Sequence, residues 1–197
     1  QPRTIEASYA AGLLVDSYLA VGDLQSVRNY SKRSSLDPPG PLSDTPDDRF
    51  LNTLEGATFK LALQQAEMDD YEGAAESFLS FTTEFPESQY VADALHNSAY
   101  YYQQFGKKDR ANELYEQFVN QFPDHENSRR LYFRIAANYE ATFDLEKAVD
   151  FYERLRRRFP EDVNAADALY NASFLQIGLG QYEAAAAGFE RYAREYS

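Results

Sequence analysis

The sequence predicts an all-α fold, a right-handed α-solenoid of about five helix-turn-helix units with a 37-residue period. The period is set by Phe-Pro pairs, which stand at Phe85-Pro86, Phe122-Pro123 and Phe159-Pro160. The same interval aligns small residues and aromatic residues, at Ala74, Ala111, Ala148 and Ala185, and at Phe78, Tyr115, Tyr152 and Phe189. Self-similarity at such a period indicates repeated units that bury their apolar faces against neighbouring units.

Each unit is predicted to contain two helices. Between residues 92 and 123, two runs of apolar residues recur at helical spacing, and Gly106 separates the runs. Proline ends each second helix because it lacks the amide hydrogen and restricts the residue before it. The predicted N-caps of the following first helices are Ser88, Asp124 or Asn127, and Asn164.

Three segments make up the predicted domain organisation. Residues 1–35 form a degenerate N-terminal unit. Residues 36–46 form a Pro-rich insertion loop, because four prolines and a glycine in eleven residues are incompatible with a helix. This loop is either a partner-docking element or a tolerated insertion. Residues 47–197 contain four in-register units, and we expect the last of them to be truncated.

The repeat resembles that of the tetratricopeptide repeat (TPR) family. The residues that match the family pattern of small, glycine, small, aromatic and proline positions are Ala99, Gly106, Ala111, Tyr115 and Pro123. The equivalent small residues of the other first helices are Ala62, Ala136 and Ser173. Asp69 and Phe143 replace the turn glycine in two units, which weakens single turns but leaves the assignment intact.

Within that family, the turns after the Phe-Pro pairs resemble a bacterial envelope subgroup. The segments that carry this second resemblance are 85–95 and 159–169. The subgroup includes the periplasmic Tol-Pal accessory protein and the TPR lipoprotein of the outer-membrane barrel-assembly machinery. The resemblance implies a location in the bacterial periplasm or envelope, with the cytoplasm as the alternative.

The TPR resemblance also implies that a partner binds in a concave groove lined by the first helices. The residues that we expect in this groove are Phe59, His96, Asn97, Tyr100, Arg130, Phe133, Arg134, Tyr170 and Phe174. Exposed aromatic rings on such a surface would bind an extended peptide or a partner helix. Tighter curvature would instead bury these rings within the repeats.

Part of a carboxylate clamp is present in the same set of residues. Asn97, Arg130 and Arg134 match two of the three parts of the clamp by which co-chaperone TPR domains hold a peptide C-terminus. Phe59 and Leu63 replace the Lys and Asn of the remaining part. The hypothesis that remains is that the two arginines bind a single carboxylate, and its alternative is a solvated arginine pair.

Composition excludes several classes of function. The net charge of −13 disfavours nucleic-acid binding, which needs a basic surface. The arginine run from 156 to 158 is predicted to be a convex-face cluster beside acidic neighbours. The chain has no Cys, and His96 and His125 form no paired metal-binding or acid-base motif. No catalytic residue, cofactor site or metal site is predicted, and no apolar run is long enough to insert into a membrane.

These observations predict a non-catalytic scaffold or adaptor of the bacterial cell envelope that binds another protein or peptide. The alternative is a regulatory or substrate-recruiting TPR segment of a larger enzyme or signalling protein. Self-association is a third reading, because the terminal repeats of an open array expose apolar ends that can stack.

Overall fold

A computed structural model of the chain describes residues 5–35 and 48–196, and the regular elements in these ranges are all α-helices. The helices are α1 (Ile5–Ala20), α2 (Leu24–Ser35), α3 (Asp48–Glu67), α4 (Tyr71–Glu84), α5 (Val91–Phe105), α6 (Lys108–Gln121), α7 (Glu126–Ala141), α8 (Leu145–Arg158), α9 (Ala165–Gly178) and α10 (Tyr182–Glu195). The predicted all-helical fold of helix-turn-helix repeats is confirmed. The predicted insertion loop at 36–46 lies outside the described residues.

The same tight turn joins the two helices of each repeat. Its central residue has a left-handed backbone, and the residues in this position are Gly22, Asp69, Gly106, Phe143 and Gly180. In the α7–α8 turn, the Phe143 N–H donates to the Glu140 carbonyl (3.0 Å) and the Asp144 N–H donates to the Tyr139 carbonyl (2.9 Å). This is a Schellman motif, which satisfies carbonyls that the end of a helix leaves free. The turns at the other four positions have the same pair of hydrogen bonds.

In three repeats, an aspartate that directly follows this turn caps the second helix. The carboxylates of Asp23, Asp70 and Asp144 accept hydrogen bonds from backbone N–H groups three residues further on, at 3.0, 3.0 and 3.3 Å. Each capping bond satisfies one of the N–H groups that the start of a helix leaves unpaired. In the α7–α8 turn, one residue, Phe143, therefore lies between the C-cap residue Thr142 of α7 and the N-cap residue Asp144 of α8.

The starts of the first helices differ in part from the predicted N-caps. The N-cap of α7 is His125, whose Nδ1 accepts from the Asn127 N–H (3.2 Å), so the prediction of Asp124 or Asn127 was wrong. Asn164 is the N-cap residue of α9, but its side chain donates to Asp162 (3.1 Å). Tyr90, not Ser88, is the N-cap residue of α5.

The chain divides into two compact units, Gln1–Lys108 and Asp109–Ser197. In the first unit, consecutive helices from α1 to α5 pack against each other. Its core includes two clusters of buried side chains among the described residues. One cluster consists of Ala11, Val15, Val27, Phe50 and Ala57, and the other of Leu54, Ala62, Phe78, Phe81, Phe85 and Ala94.

In the second unit, the helices from α7 to α10 pack consecutively. A hydrogen bond from Asn138 to Asn112 (3.0 Å) joins α7 to α6. The large side chains that are fully buried in this unit are Leu114, Tyr115, Phe118, Val119, Ile135, Tyr152 and Leu155. Tyr115 and Tyr152, which the sequence period aligns, are thus both core residues.

Candidate protein-binding surfaces

An apolar groove of about 810 Å³ lies between α7 and α9 of the second unit, beside the start of α8. It is lined by Ala137, Glu140, Ala141, Phe143, Leu145, Phe174, Leu175, Ile177 and Gly178. The groove exists because small residues lie along both helices. Ala137 and Ala141 of α7 stand one period before Phe174 and Gly178 of α9, so α7 has no large side chain at these two positions to fill the space beside Phe174.

Three large apolar side chains of this groove are open to solvent. Phe143 is 86% exposed, Phe174 58% and Ile177 44%. Phe143 also has a left-handed backbone, with φ of 62°, a conformation that is uncommon for bulky residues. A large aromatic side chain is therefore held in solvent at a position where the repeats on both sides have glycine.

Glu140 is the charged residue among those that line the groove. Its Oε2 accepts a hydrogen bond from the Tyr152 hydroxyl at 2.9 Å. Burial raises the pKa of the Tyr152 phenol, and this hydrogen bond raises it further, so the hydroxyl stays protonated and acts as a donor. The groove thus combines apolar walls with one negatively charged side chain.

The predicted site residues of the second unit lie in different environments. Phe174 lines the apolar groove. Tyr170 packs edge to face against Phe189 and Tyr192 of α10, and Phe133 packs in the same way against Tyr152. Of the five predicted residues in this unit, the structure thus brings one to the groove and packs two against the following helices.

The two arginines of the predicted partial clamp also differ in their surroundings. Arg134 donates to the Tyr115 hydroxyl (3.3 Å), and its guanidinium lies 5.5 Å from the centre of that ring. Arg130 is exposed and lines a separate hollow with Arg129 and Phe159. Both arginines are therefore exposed, and Arg134 in addition contacts a core tyrosine.

In the first unit, the predicted site residues are less exposed. Phe59 is partly buried, and its ring lies 4.9 Å from that of Phe78 and 5.6 Å from that of Phe81. His96 and Asn97 are partly buried. Tyr100 is 39% exposed.

A polar depression of about 530 Å³ is also present in the first unit, between α2, α3 and α4. At its edge, Arg28 donates to Thr58 (3.2 Å), and both Arg28 and Lys32 form ion pairs with Glu84. Burial by itself would raise the pKa of Glu84, but the hydrogen bonds and charges of Lys32 and Arg28 outweigh it and lower that pKa. The positive charges of Arg28 and Lys32 are therefore paired with the negative charge of Glu84.

Most residues of the apolar groove were not predicted from the sequence. Phe143, Leu145 and Ile177 were not among the expected site residues, although Phe143 was recognised as a departure from the turn glycine. An aromatic residue at a position that favours glycine was the available signal.

The described part of the chain contains neither a candidate metal site nor a membrane-spanning helix. It holds no group of three or more His, Cys, Asp or Glu side chains that could bind a metal ion. Within the same residues, no helix has the length and apolar character needed to cross a membrane.

Known structures resemble the chain at the level of the fold. A tetratricopeptide repeat protein from Parabacteroides merdae aligns with a TM-score of 0.52 and 21% identity, over 73% of this chain and 54% of that one. MamA of strain AMB-1 aligns with a TM-score of 0.53 and 13% identity, over 95% of this chain and 90% of that one. These similarities support the TPR-type fold.

Sequence comparison gives the family. No curated protein sequence matches the chain. The model of the YfiO family, described as an outer membrane lipoprotein family, matches residues 53–197. That range includes α3 from Thr53 onwards and every later helix. The chain therefore belongs to the YfiO outer membrane lipoprotein family.

Proposed function

We propose that the chain is a non-catalytic protein-interaction scaffold of the bacterial cell envelope, and that it binds a partner helix in the apolar groove of the second unit. The observation that carries this proposal is the exposure of Phe143, Phe174 and Ile177 around one groove. The TPR-type fold supports a protein partner, and the family description supports the envelope.

The size and chemistry of the groove favour a helix with one apolar face. Helices that dock in grooves present apolar side chains three and four residues apart. A volume of about 810 Å³ accommodates several such side chains. Because the wall includes Glu140 and the chain has a net charge of −13, a basic residue beside the apolar face of the partner would be favoured.

Affinity capture from envelope and cytosolic extracts of the parent bacterium tests the proposal. The bait is the chain itself, and the groove variant is Phe174→Ala with Ile177→Ala. Val163→Ala is the matched control, since Val163 is an apolar residue of the same unit that is 88% exposed and does not line the groove. We expect the bait and the control to retain an envelope protein that the groove variant loses.

Two results would contradict the proposal. Retention of the same envelope protein by the groove variant would show that the partner binds elsewhere. Capture of cytosolic proteins alone, with equal loss in the groove variant, would support the groove but refute the envelope assignment. Circular dichroism of each variant separates loss of binding from loss of folding.

A further inference from the structure

A second pocket of the second unit has the opposite electrostatic character. It has a volume of about 640 Å³ and is lined by Val119, Asn120, Pro123, Tyr132, Arg154, Arg157 and Arg158. None of these residues is acidic, although the whole chain has 32 acidic and 19 basic residues. The pocket shares no residue with the apolar groove.

Two of the three guanidinium groups are held in place by the surrounding residues. Arg154 donates to the Asn120 side chain (2.7 Å) and lies over the Phe151 ring, at 4.6 Å from its centre. Arg158 donates to the Pro123 carbonyl (3.2 Å). A guanidinium has five N–H donors, so these contacts leave donors for a ligand. Fixed donors lose less conformational entropy when a ligand binds.

The third guanidinium has no internal counter-charge. Arg158 pairs with Asp124 (2.6 Å), and Arg154 lies 3.7 Å from Asp150. Arg157 is exposed, and no hydrogen bond or ion pair joins it to another residue in the described ranges. The sequence predicts acidic neighbours for the whole arginine run, and the structure provides one for Arg158 but none for Arg157.

The position of the arginines at the end of α8 explains only part of this arrangement. Positive charge in the last turn of a helix is favourable because of the helix dipole. That interaction needs no pocket and no fixed orientation of the guanidinium groups. The helix dipole therefore does not explain why three arginines cluster around one concave space, whereas ligand binding would explain it.

We propose that this pocket binds the carboxylate side chains of an acidic segment in a partner protein. Arginine recognises carboxylates through paired hydrogen bonds, and a concave pocket of this size admits side chains. A flat anionic membrane is a less suitable ligand, because a planar surface does not enter a concave pocket as a carboxylate side chain does. The pocket is independent of the proposed helix-binding groove.

Fluorescence anisotropy with a labelled polyglutamate peptide tests this proposal on the full chain. We expect saturable binding below about 1 mM, the range of weak specific sites. Arg157→Gln should weaken binding roughly tenfold, as expected for the loss of a charge-assisted hydrogen bond. Because Arg157 is exposed and no hydrogen bond or ion pair joins it to another described residue, this variant should keep its helicity and thermal stability.

Two control variants distinguish the pocket from other effects. Arg194→Gln removes the same charge from an exposed position on α10 and should leave the affinity unchanged within about twofold. Phe174→Ala changes the apolar groove and should also leave it unchanged. Equal weakening by Arg157→Gln and Arg194→Gln would overturn the proposal, because it would indicate a general charge effect.

Other outcomes would also overturn it. One is the absence of saturable polyglutamate binding up to that concentration. Another is that Arg157→Gln weakens binding of phosphatidylglycerol vesicles but leaves polyglutamate binding unchanged. That result would identify a membrane surface as the ligand.

Discussion

Among the described residues, Phe143 is the one whose side chain suits its left-handed backbone conformation least. A left-handed backbone brings the Cβ atom close to the following carbonyl, at a free-energy cost of roughly 1–2 kcal/mol that glycine avoids. Burial does not offset this cost, because the ring is 86% exposed. The Asp144 N-cap of α8 supports the same turn. Phe143 is therefore explained better by partner binding than by the stability of the fold.

Phe143→Gly should raise the free energy of unfolding by about 1 kcal/mol while weakening partner capture. The greater freedom of glycine in the unfolded chain opposes this gain but does not cancel it. Urea denaturation followed by circular dichroism measures the stability, and capture from envelope extracts measures the binding. Lower stability in this variant would show that the Phe143 ring contributes to the fold.

The reverse substitution in the same unit is a matched control. A Cβ atom at Gly180 would meet no atom within 4 Å, and the backbone there has φ of 70°. Gly180→Phe should therefore introduce only backbone strain and lower the free energy of unfolding by about 1 kcal/mol.

At the scale of helices, α10 packs very closely against α9 because Gly188 of α10 has no side chain. A Cβ atom at Gly188 would lie 2.0 Å from Ser173 Oγ and 2.9 Å from Ser173 Cβ. Ser173 is buried, and its hydroxyl donates to the Leu169 carbonyl (2.8 Å), so it cannot move away freely. Ser173 also stands at one of the small-residue positions of the predicted repeat.

Gly188→Ala should lower the free energy of unfolding by about 1–3 kcal/mol, because the added methyl overpacks this contact. Gly56→Ala is the comparison, since a Cβ atom at Gly56, inside α3, meets nothing within 4 Å. That second change should raise stability by up to about 1 kcal/mol through helix propensity alone. Chemical denaturation compares the two variants. A stabilising effect of Gly188→Ala would mean that α9 and α10 separate at no cost.

The ends of most helices were predictable because they depend on local chemistry. Proline stops a helix whatever surrounds it, so Pro86, Pro123 and Pro160 each lie shortly after the end of a helix. The N-cap of α7 was not predictable in the same way. His125 caps that helix through a ring nitrogen, and its ring also packs edge to face against Phe118 at 5.1 Å. The use of His125 as the N-cap residue therefore depends on tertiary packing.

At the scale of the whole molecule, the period does not distinguish packed rings from exposed ones. Phe133 and Tyr170 are equivalent in the repeat, and both pack against aromatic residues of the following helix, yet Phe133 is partly buried whereas Tyr170 is 46% exposed. Phe174 is exposed because its equivalent one period earlier is Ala137, which leaves the space beside it open. Such exposure depends on pairs of residues in adjacent repeats, so single positions in the sequence cannot predict it.

The pH dependence of stability should reflect two carboxylates with opposite shifts. Glu84, paired with Lys32 and Arg28, has a lowered pKa, so its contribution to stability is lost as pH falls from the ordinary value of 4.5 through that lowered pKa. Burial raises the pKa of Glu116 on α6, against the charges of Lys147 and Arg154. Ionised Glu116 therefore destabilises the folded chain at neutral pH, and stability rises as pH falls through its raised pKa.

We therefore expect the melting temperature to rise from pH 7 to a maximum at about pH 5 and to fall below about pH 4. As the pH falls towards the pI of 4.6, the chain loses net negative charge and the repulsion between its charges weakens. This change raises stability, as protonation of Glu116 does. Glu116→Gln should raise the melting temperature at pH 7 and reduce the rise on acidification. Glu84→Gln should instead lower the melting temperature at pH 7 and reduce its decrease below pH 4. Thermal melts from pH 7 to below pH 4 measure these changes. A melting temperature that is highest at neutral pH and is changed by neither variant would show that other carboxylates control the acid response.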